Sequence, residues 1–261
     1  MIPYKKILCM RLSRLFFFII LFFSGVTAFA QKGTGFIGVD GGVSLPLGNW
    51  GKASTATDMT SLNGTVDDKS GYAKAGGFFS VDGAWSFSKH FAIGGMFRYG
   101  THSLKGIDSL SQGYEESFDV DQTSTAVTNY KLWSILPGIY YDLGLTRRFS
   151  FTARALAGVA HVSTPEINVA IEDGGIQDPP VIQESASKTA FAADGGVGLQ
   201  YRVLSCIAVR LRADYFYTRP DLTIKNTGRN NNAGREVPSY DQALSSVNFS
   251  LGVAYVFGQK K

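Results

Sequence analysis

From Val247 to Phe257 every second residue is bulky and apolar, while Asn248, Ser250, Gly252 and Ala254 between them are small or polar. A period of two puts one set on each face of an extended strand, and a helix with period 3.6 cannot separate them. The same alternation recurs along the chain. Ile37, Val39, Val43 and Leu45 oppose Asp40 and Ser44 in "TGFIGVDGGVSLPL". Phe79, Val81, Trp85 and Phe87 oppose Phe78, Ser80, Asp82 and Ser86, and Phe91, Ile93, Phe97 and Tyr99 oppose Ala92, Gly94 and Arg98.

"YKLWSILPGIYYDL" is apolar on both faces; Trp133, Ile135, Ile139 and Tyr141 are read as its outward set. Pro137 inside it cannot donate a ladder hydrogen bond, which predicts a bulge. Three further segments follow. Phe149, Phe151 and Val159 oppose Ser150, Thr152 and Arg154; Phe191, Val197, Leu199, Tyr201 and Val203 oppose Asp194, Gln200 and Arg202. Ile207, Val209, Leu211, Tyr215 and Tyr217 oppose Arg210, Arg212 and Asp214. With the terminal segment the chain carries eight strands.

The connections alternate too. Short ones at Ser88–His90, Asp142–Arg148 and Leu204–Ser205 separate long ones at Gly48–Tyr72, Gly100–Asn129, Ser163–Ser187 and Thr218–Gln242. In an up-and-down barrel all four long connections emerge at one end, the asymmetry of transmembrane β-barrels. A soluble, secreted, ligand-binding barrel would also alternate, with its apolar face inward. The discriminator is the face that holds charge. Asp40, Asp82, Arg98, Arg154, Asp194, Arg202, Arg210, Arg212 and Asp214 all share the parity of the small and polar residues. Eight strands enclose room only for packed side chains, so these charges are expected to pair within. Facing lipid instead, each basic residue would cost roughly 2–4 kcal/mol at the bilayer midplane. The expected fold is therefore all-β: an eight-stranded antiparallel up-and-down transmembrane β-barrel, with its apolar face toward lipid.

Aromatic residues are expected in two tiers, as suits rings at a membrane interface. Trp85, Phe87, Phe91, Tyr141, Phe149, Tyr201, Tyr255 and Phe257 fall at the short-turn rim, and Tyr99, Trp133, Phe191, Tyr215 and Tyr217 at the other. With its leader, its eight alternating segments and its terminal "GVAYVF", the chain resembles the outer-membrane β-barrel domain family, similar to small outer-membrane-protein-A-like barrels. That resemblance implies a bacterial outer-membrane location, contact with outer-membrane lipids and lipopolysaccharide, and an assembly signal at Tyr255 and Phe257 read by the barrel-assembly machinery. Gly258 to Lys261 follow that aromatic, a departure from the family pattern, and no peptidoglycan-binding domain is expected after the barrel.

The leader is "MIPYKKILCMRLSRLFFFIILFFSGVTAFA". A basic stretch, the apolar run Leu15–Phe23 and an Ala28-Phe29-Ala30 ending have the order of a secretory signal peptide, with cleavage expected after Ala30. This predicts a signal peptide over 1–30 and a single barrel domain over 31–261, with Met1 and Met10 both open as starts. Four of the 25 basic residues lie in the leader; the remainder balances the 21 acidic ones. A neutral chain makes no case for nucleic acid. Cys9 leaves with the leader, so Cys206 has no internal disulfide partner.

Chemistry is sparse. His90, His102 and His161 are spread along the chain, so no shared metal site and no cofactor are expected. His161 and Ser163 stand two apart on one strand face, with Glu166 close behind, loosely similar to the His-x-Ser of outer-membrane lipid A deacylases. A lipid A-modifying hydrolase is accordingly the enzymatic alternative, needing base, nucleophile and orienting group within hydrogen-bond reach. The main expectation is a monomeric, non-enzymatic barrel with a structural or surface-interaction role and an extracellular ligand met through four long loops. Of these loops, the second is acidic (Asp108, Glu115, Glu116, Asp119, Asp121) and the fourth basic (Arg219, Lys225, Arg229, Arg235). These charges are free to pair with each other or with a partner.

Overall fold

The computed structural model describes residues 34–52, 71–108, 111, 115, 122–173, 176–223, 226–228 and 240–258. The leader with Ala28 and Ala30, and the loop charges Glu116, Asp119, Asp121, Lys225, Arg229 and Arg235, lie outside the described residues.

Eight strands close into one antiparallel barrel: β1 (Gly35–Leu47), β2 (Gly76–Ser86), β3 (Phe91–His102), β5 (Tyr130–Gly144), β6 (Phe149–Ser163), β9 (Ser187–Arg202), β10 (Ile207–Thr218) and β14 (Leu244–Phe257). Their order around the ring is β1-β14-β10-β9-β6-β5-β3-β2, so every barrel strand bonds its chain neighbours. The last strand seals the first, from Gly35 opposite Phe257 to Leu47 opposite Ser245. Closure leaves no edge, so every barrel strand has a ladder on both sides, as a hydrocarbon solvent demands.

Turns of four residues, 87–90, 145–148 and 203–206, join the strands at one end. All three repeat one bond: the amides of Phe87, Leu145 and Val203 donate to the carbonyls of Phe91, Phe149 and Ile207. Ser88 and Thr146 add a hydroxyl that accepts from the amides of Phe91 and Phe149 at 3.0 Å.

The faces divide by parity on all eight strands. Ile37, Ile93, Phe191 and Leu251 are between 57% and 66% exposed, whereas Asp40, Asp82, Arg98 and Arg210 are at most 3% exposed. A soluble barrel reverses this arrangement, so the soluble reading is excluded. The exposed apolar surface belongs against lipid, and the protein is a transmembrane β-barrel.

One expectation changes. At Pro137 there is no bulge. The β5–β6 register is the same on both sides of it, Ile135 opposite Val159 and Gly138 opposite Leu156, and Pro137 faces Gly95 across the β3 ladder. Gly158 explains the relief: a Cβ there would run into the Ile135 carbonyl and crowd Pro137 Cδ, so its absence lets the proline ring sit in a straight strand.

The long connections contain strands of their own. β4 (Gln122–Val127), β7 (Ile167–Asp173), β8 (Ile176–Gln183) and β12 (Asn226–Gly228) form a four-stranded sheet in the order β12-β8-β7-β4. These strands come from the second, third and fourth long connections. The fourth also holds a small pair, β11 (Asp221–Leu222) with β13 (Tyr240–Asp241). The third connection's β7–β8 hairpin lies between the acidic second loop and the basic fourth. Within the described residues the loop charges bond locally: Arg219 pairs with Asp241 at 2.7 Å, and the Glu115 carboxylate accepts from the Thr123 amide at 2.9 Å.

Candidate functional site: the barrel interior and its two ends

Going from the long-loop end to the short-turn end, the interior has three layers, and each follows from which inward positions carry small, charged or aromatic residues.

The outer layer is an apolar cap centred on Trp50. This residue lies in a single helical turn, α1 (Gly48–Gly51), entered through Gly48 at φ +57, and it is fully buried. The ends of the first long connection zip together beneath it: Gly71 N donates to Asn49 O at 2.7 Å and Ala73 N to Trp50 O at 3.0 Å. The indole packs edge-on against His102 at 4.5 Å and Tyr130 at 6.1 Å between ring centroids. Tyr130 donates its hydroxyl to Gly71 O at 2.9 Å, and His102 Nδ1 bonds Lys74 O at 3.0 Å. Leu132, Val162, Phe216, Leu244, Ile167 and Val169 belong to the same buried cluster.

The middle layer is ionic. Four Arg and four Asp from six strands, all buried, form a continuous set of contacts. Arg210 Nη2 donates to Asp40 at 2.7 Å and to Asp82 at 2.8 Å. Arg212 Nη1 lies 3.1 Å from Asp40 and 2.8 Å from Asp82. On the other side Arg98 reaches Asp194 at 3.0 Å and Asp214 at 3.7 Å. Arg154 joins the halves, touching Asp214 at 2.8 Å, Asp194 at 3.3 Å and Asp82 at 3.6 Å. Guanidinium forks are suited to several carboxylates at once. Rings hold two of them: Arg98 stands 4.8 Å from the centroid of Phe78 and 5.6 Å from that of Phe216, and Arg210 stands 5.3 Å from that of Phe36. Absent side chains make the space. A Cβ on Gly38 would overlap the Arg210 guanidinium, and one on Gly252 would overlap the Asp40 carboxylate.

Arg202 stands apart from these eight. It is only half-buried and lines the third layer, a chamber of about 250 Å³ open at the short-turn end. Tyr140, Gln200 and Thr152 form its walls, and Arg154, Arg212 and Asp214 its floor.

The proposed hydrolase residues are placed on the outside of the barrel. His161 Nδ1 bonds Thr189 Oγ1 at 3.0 Å, and its ring stacks on Trp133 at 5.4 Å. Ser163 Oγ shares a hydrogen bond with Ser187 Oγ at 2.7 Å. Glu166 is exposed and bonded through its backbone amide to Thr128 Oγ1. The His161 and Ser163 side chains are thus engaged across strands, not with the next member of the set.

Tyr255 and Phe257 belong to a run of rings at the short-turn rim. Their centroids are 6.3 Å apart, and Phe257 meets Trp85 at 5.6 Å. Phe91–Tyr141 at 5.2 Å and Phe149–Tyr201 at 4.9 Å continue the tier.

Position in the sequence concealed Trp50, which reads as loop, and Tyr140, which reads as one apolar residue among many. Gly38 and Gly252 did carry a signal, since each is small at an inward position beside a charged strand.

Neither a protein-family model nor a curated protein matches the sequence. Among solved structures, the chain is similar to Ail, the attachment invasion locus protein of Yersinia pestis (13% identity, 87% of this chain and 100% of that one, TM-score 0.43). It is also similar to Neisserial surface protein A (12%, 85% and 97%, TM-score 0.43) and to the outer membrane protease OmpT of Escherichia coli (10%, 87% and 97%, TM-score 0.42). Likeness at this level assigns no role. The closed ring, the lipid-facing belt and the segregation of turns from loops make the chain an outer-membrane β-barrel.

Proposed function

We propose that the protein is a non-conducting outer-membrane barrel that presents a folded recognition surface to the cell exterior. The observation that carries this reading is the sheet built by β4, β7, β8 and β12, because three separate connections spend backbone hydrogen bonds on one shared surface. Such pairing orders long loops that would otherwise lose more entropy on meeting a partner. The interior supports a structural rather than a transport role. An apolar cap and an ionic layer follow one another along the axis and fill the lumen between the long-loop end and the short-turn chamber.

In this reading the long connections face outward and the short turns face the periplasm. The chain between the leader and the C-terminus is one barrel domain. The belt contacts membrane lipid and lipopolysaccharide, and Tyr255 and Phe257 are the residues engaged by the assembly machinery. The ring satisfies its own edges, so no second copy is needed to complete the sheet, and the unit in this reading is a monomer.

The test replaces the β7–β8 hairpin by a short turn. Cells bearing either form, both retaining the gel shift of a folded barrel, are compared for binding to surface polysaccharide and to extracellular proteins. Loss of binding in the variant supports the reading; equal binding by both overturns it. In planar bilayers, large stable open channels from the intact protein would overturn the non-conducting part.

A further inference from the structure

The three turns at the short-turn end share an arrangement that a turn in water does not need. Their first residues, Phe87, Leu145 and Val203, make the same backbone bond, and their side chains are 62%, 57% and 51% exposed. Leu204, beside Val203, is exposed as well. Tight turns in water draw on Gly, Asn, Asp and Ser. A bulky apolar side chain at the same place in all three sets the turns in the membrane boundary. The aromatic tier adjoins them through Phe91 and Phe149, on the strands that leave two of the turns.

Charge on these turns has one sign. Lys89 in the first and Arg147 and Arg148 in the second are exposed, and no turn residue is acidic. Because β3 pairs with β5, these two turns are neighbours on the rim, while the uncharged third turn stands opposite the first. Among the described residues Lys89 and Arg147 enter no ion pair, and Arg148 meets the Tyr201 hydroxyl at 3.5 Å. Asp142 is held by the Ser150 hydroxyl and lies near Arg202, which is itself engaged, so neither belongs to this arc. The sequence is basic beyond both ends of the barrel too, at Lys32, Lys260 and Lys261. Those three lie outside the described residues, and the arc stands without them.

We propose that this arc of the short-turn rim selects anionic phospholipid from the surrounding leaflet. Lys89, Arg147 and Arg148 hold the headgroup phosphate, while Phe87 and Leu145 sit among the first methylenes of the chains. Long basic side chains reach the phosphate level from an apolar footing. A zwitterionic headgroup brings its own ammonium against the arc; a headgroup of net negative charge does not. Turns of four residues with apolar side chains outward are seated at the lipid, which favours the headgroup over a free anion in water. The site needs the barrel to span lipid and is independent of what the long connections recognise.

The experiment folds the chain into phosphatidylcholine vesicles and follows chain-labelled phosphatidylglycerol and phosphatidylcholine at its surface by electron spin resonance. Phosphatidylglycerol is expected to associate about two- to fivefold more strongly at low salt, and the preference is expected to shrink as added salt shortens the screening length. Lys89→Gln, Arg147→Gln and Arg148→Gln together bring the ratio close to unity. Lys131→Gln with Lys188→Gln, exposed at the long-loop end, leaves it unchanged. The gel shift of each form establishes that it is folded. Equal association of the two lipids with the intact protein, a preference that survives the triple substitution, or one lost with Lys131 and Lys188 overturns the proposal. Displacement of the labelled lipid by soluble glycerol phosphate overturns it too, the arc then serving the free anion.

Discussion

Arg98 on β3 and Asp214 on β10 stand on diametrically opposite strands of the ring, and their side chains still approach to 3.7 Å. A long side chain from one wall and a short one from the other span the lumen, so the ionic layer braces the barrel across its width. It also ties register to charge. A one-residue slip would turn every one of these groups toward lipid.

The first prediction concerns the residue that joins the two halves. Arg154→Leu leaves three buried carboxylates short of a partner and is expected to destabilise the barrel by about 3–5 kcal/mol. Arg154→Lys does not restore it, because one ammonium cannot serve three carboxylates as a planar fork does. Urea unfolding in lipid vesicles, followed by tryptophan fluorescence, measures both.

Two glycines on neighbouring strands separate space from propensity. Gly252→Ala places a Cβ against the Asp40 carboxylate and the Val39 carbonyl, while Gly41→Ala meets nothing nearer than 3.9 Å. The first is expected to cost about 1–3 kcal/mol through overpacking, the second to stay within about 0.5 kcal/mol. The same unfolding assay compares them.

Sidedness is tested on β14. Leu251 is 62% exposed and lies in mid-strand. Leu251→Arg is expected to destabilise by about 2–4 kcal/mol and to lower the folded fraction on unboiled gels. A variant that folds as well as the parent would show that this face does not meet hydrocarbon.

His161→Ala and Ser163→Ala are expected to leave the lipid A mass spectrum of expressing cells unchanged. The partners of these side chains are Thr189 and Ser187, so among the described residues no base is poised on the serine. A change in acylation that depends on Ser163 would reverse this.

What could be read from the sequence was whatever repeats at short range. Parity alone assigned Ile37, Phe97 and Leu251 to lipid and Asp40, Arg98 and Asp214 to the lumen, because strand geometry turns alternate residues to opposite faces. Alternating connection lengths disclosed the up-and-down order. Long-range features were hidden. Trp50 is buried because Asn49 and Gly71 bond across a connection, and no local pattern encodes that. Pro137 signalled a bulge by its own chemistry, but Gly158 on the next strand removes the need for one. The four-stranded sheet of the long connections pairs Thr125 with Val169, across a barrel hairpin that gives no hint of the match. Arg202 had the right parity but sits too near the mouth to reach the floor set.

The four-stranded sheet of the long connections has a consequence for how this surface can diverge. Each of three connections supplies a strand that another must pair, so an insertion or deletion in one disturbs backbone partners contributed by the rest. Loops that do not pair can vary one by one; here a change in one strand would require matching changes in the strands that bond it, so the three connections are expected to vary together.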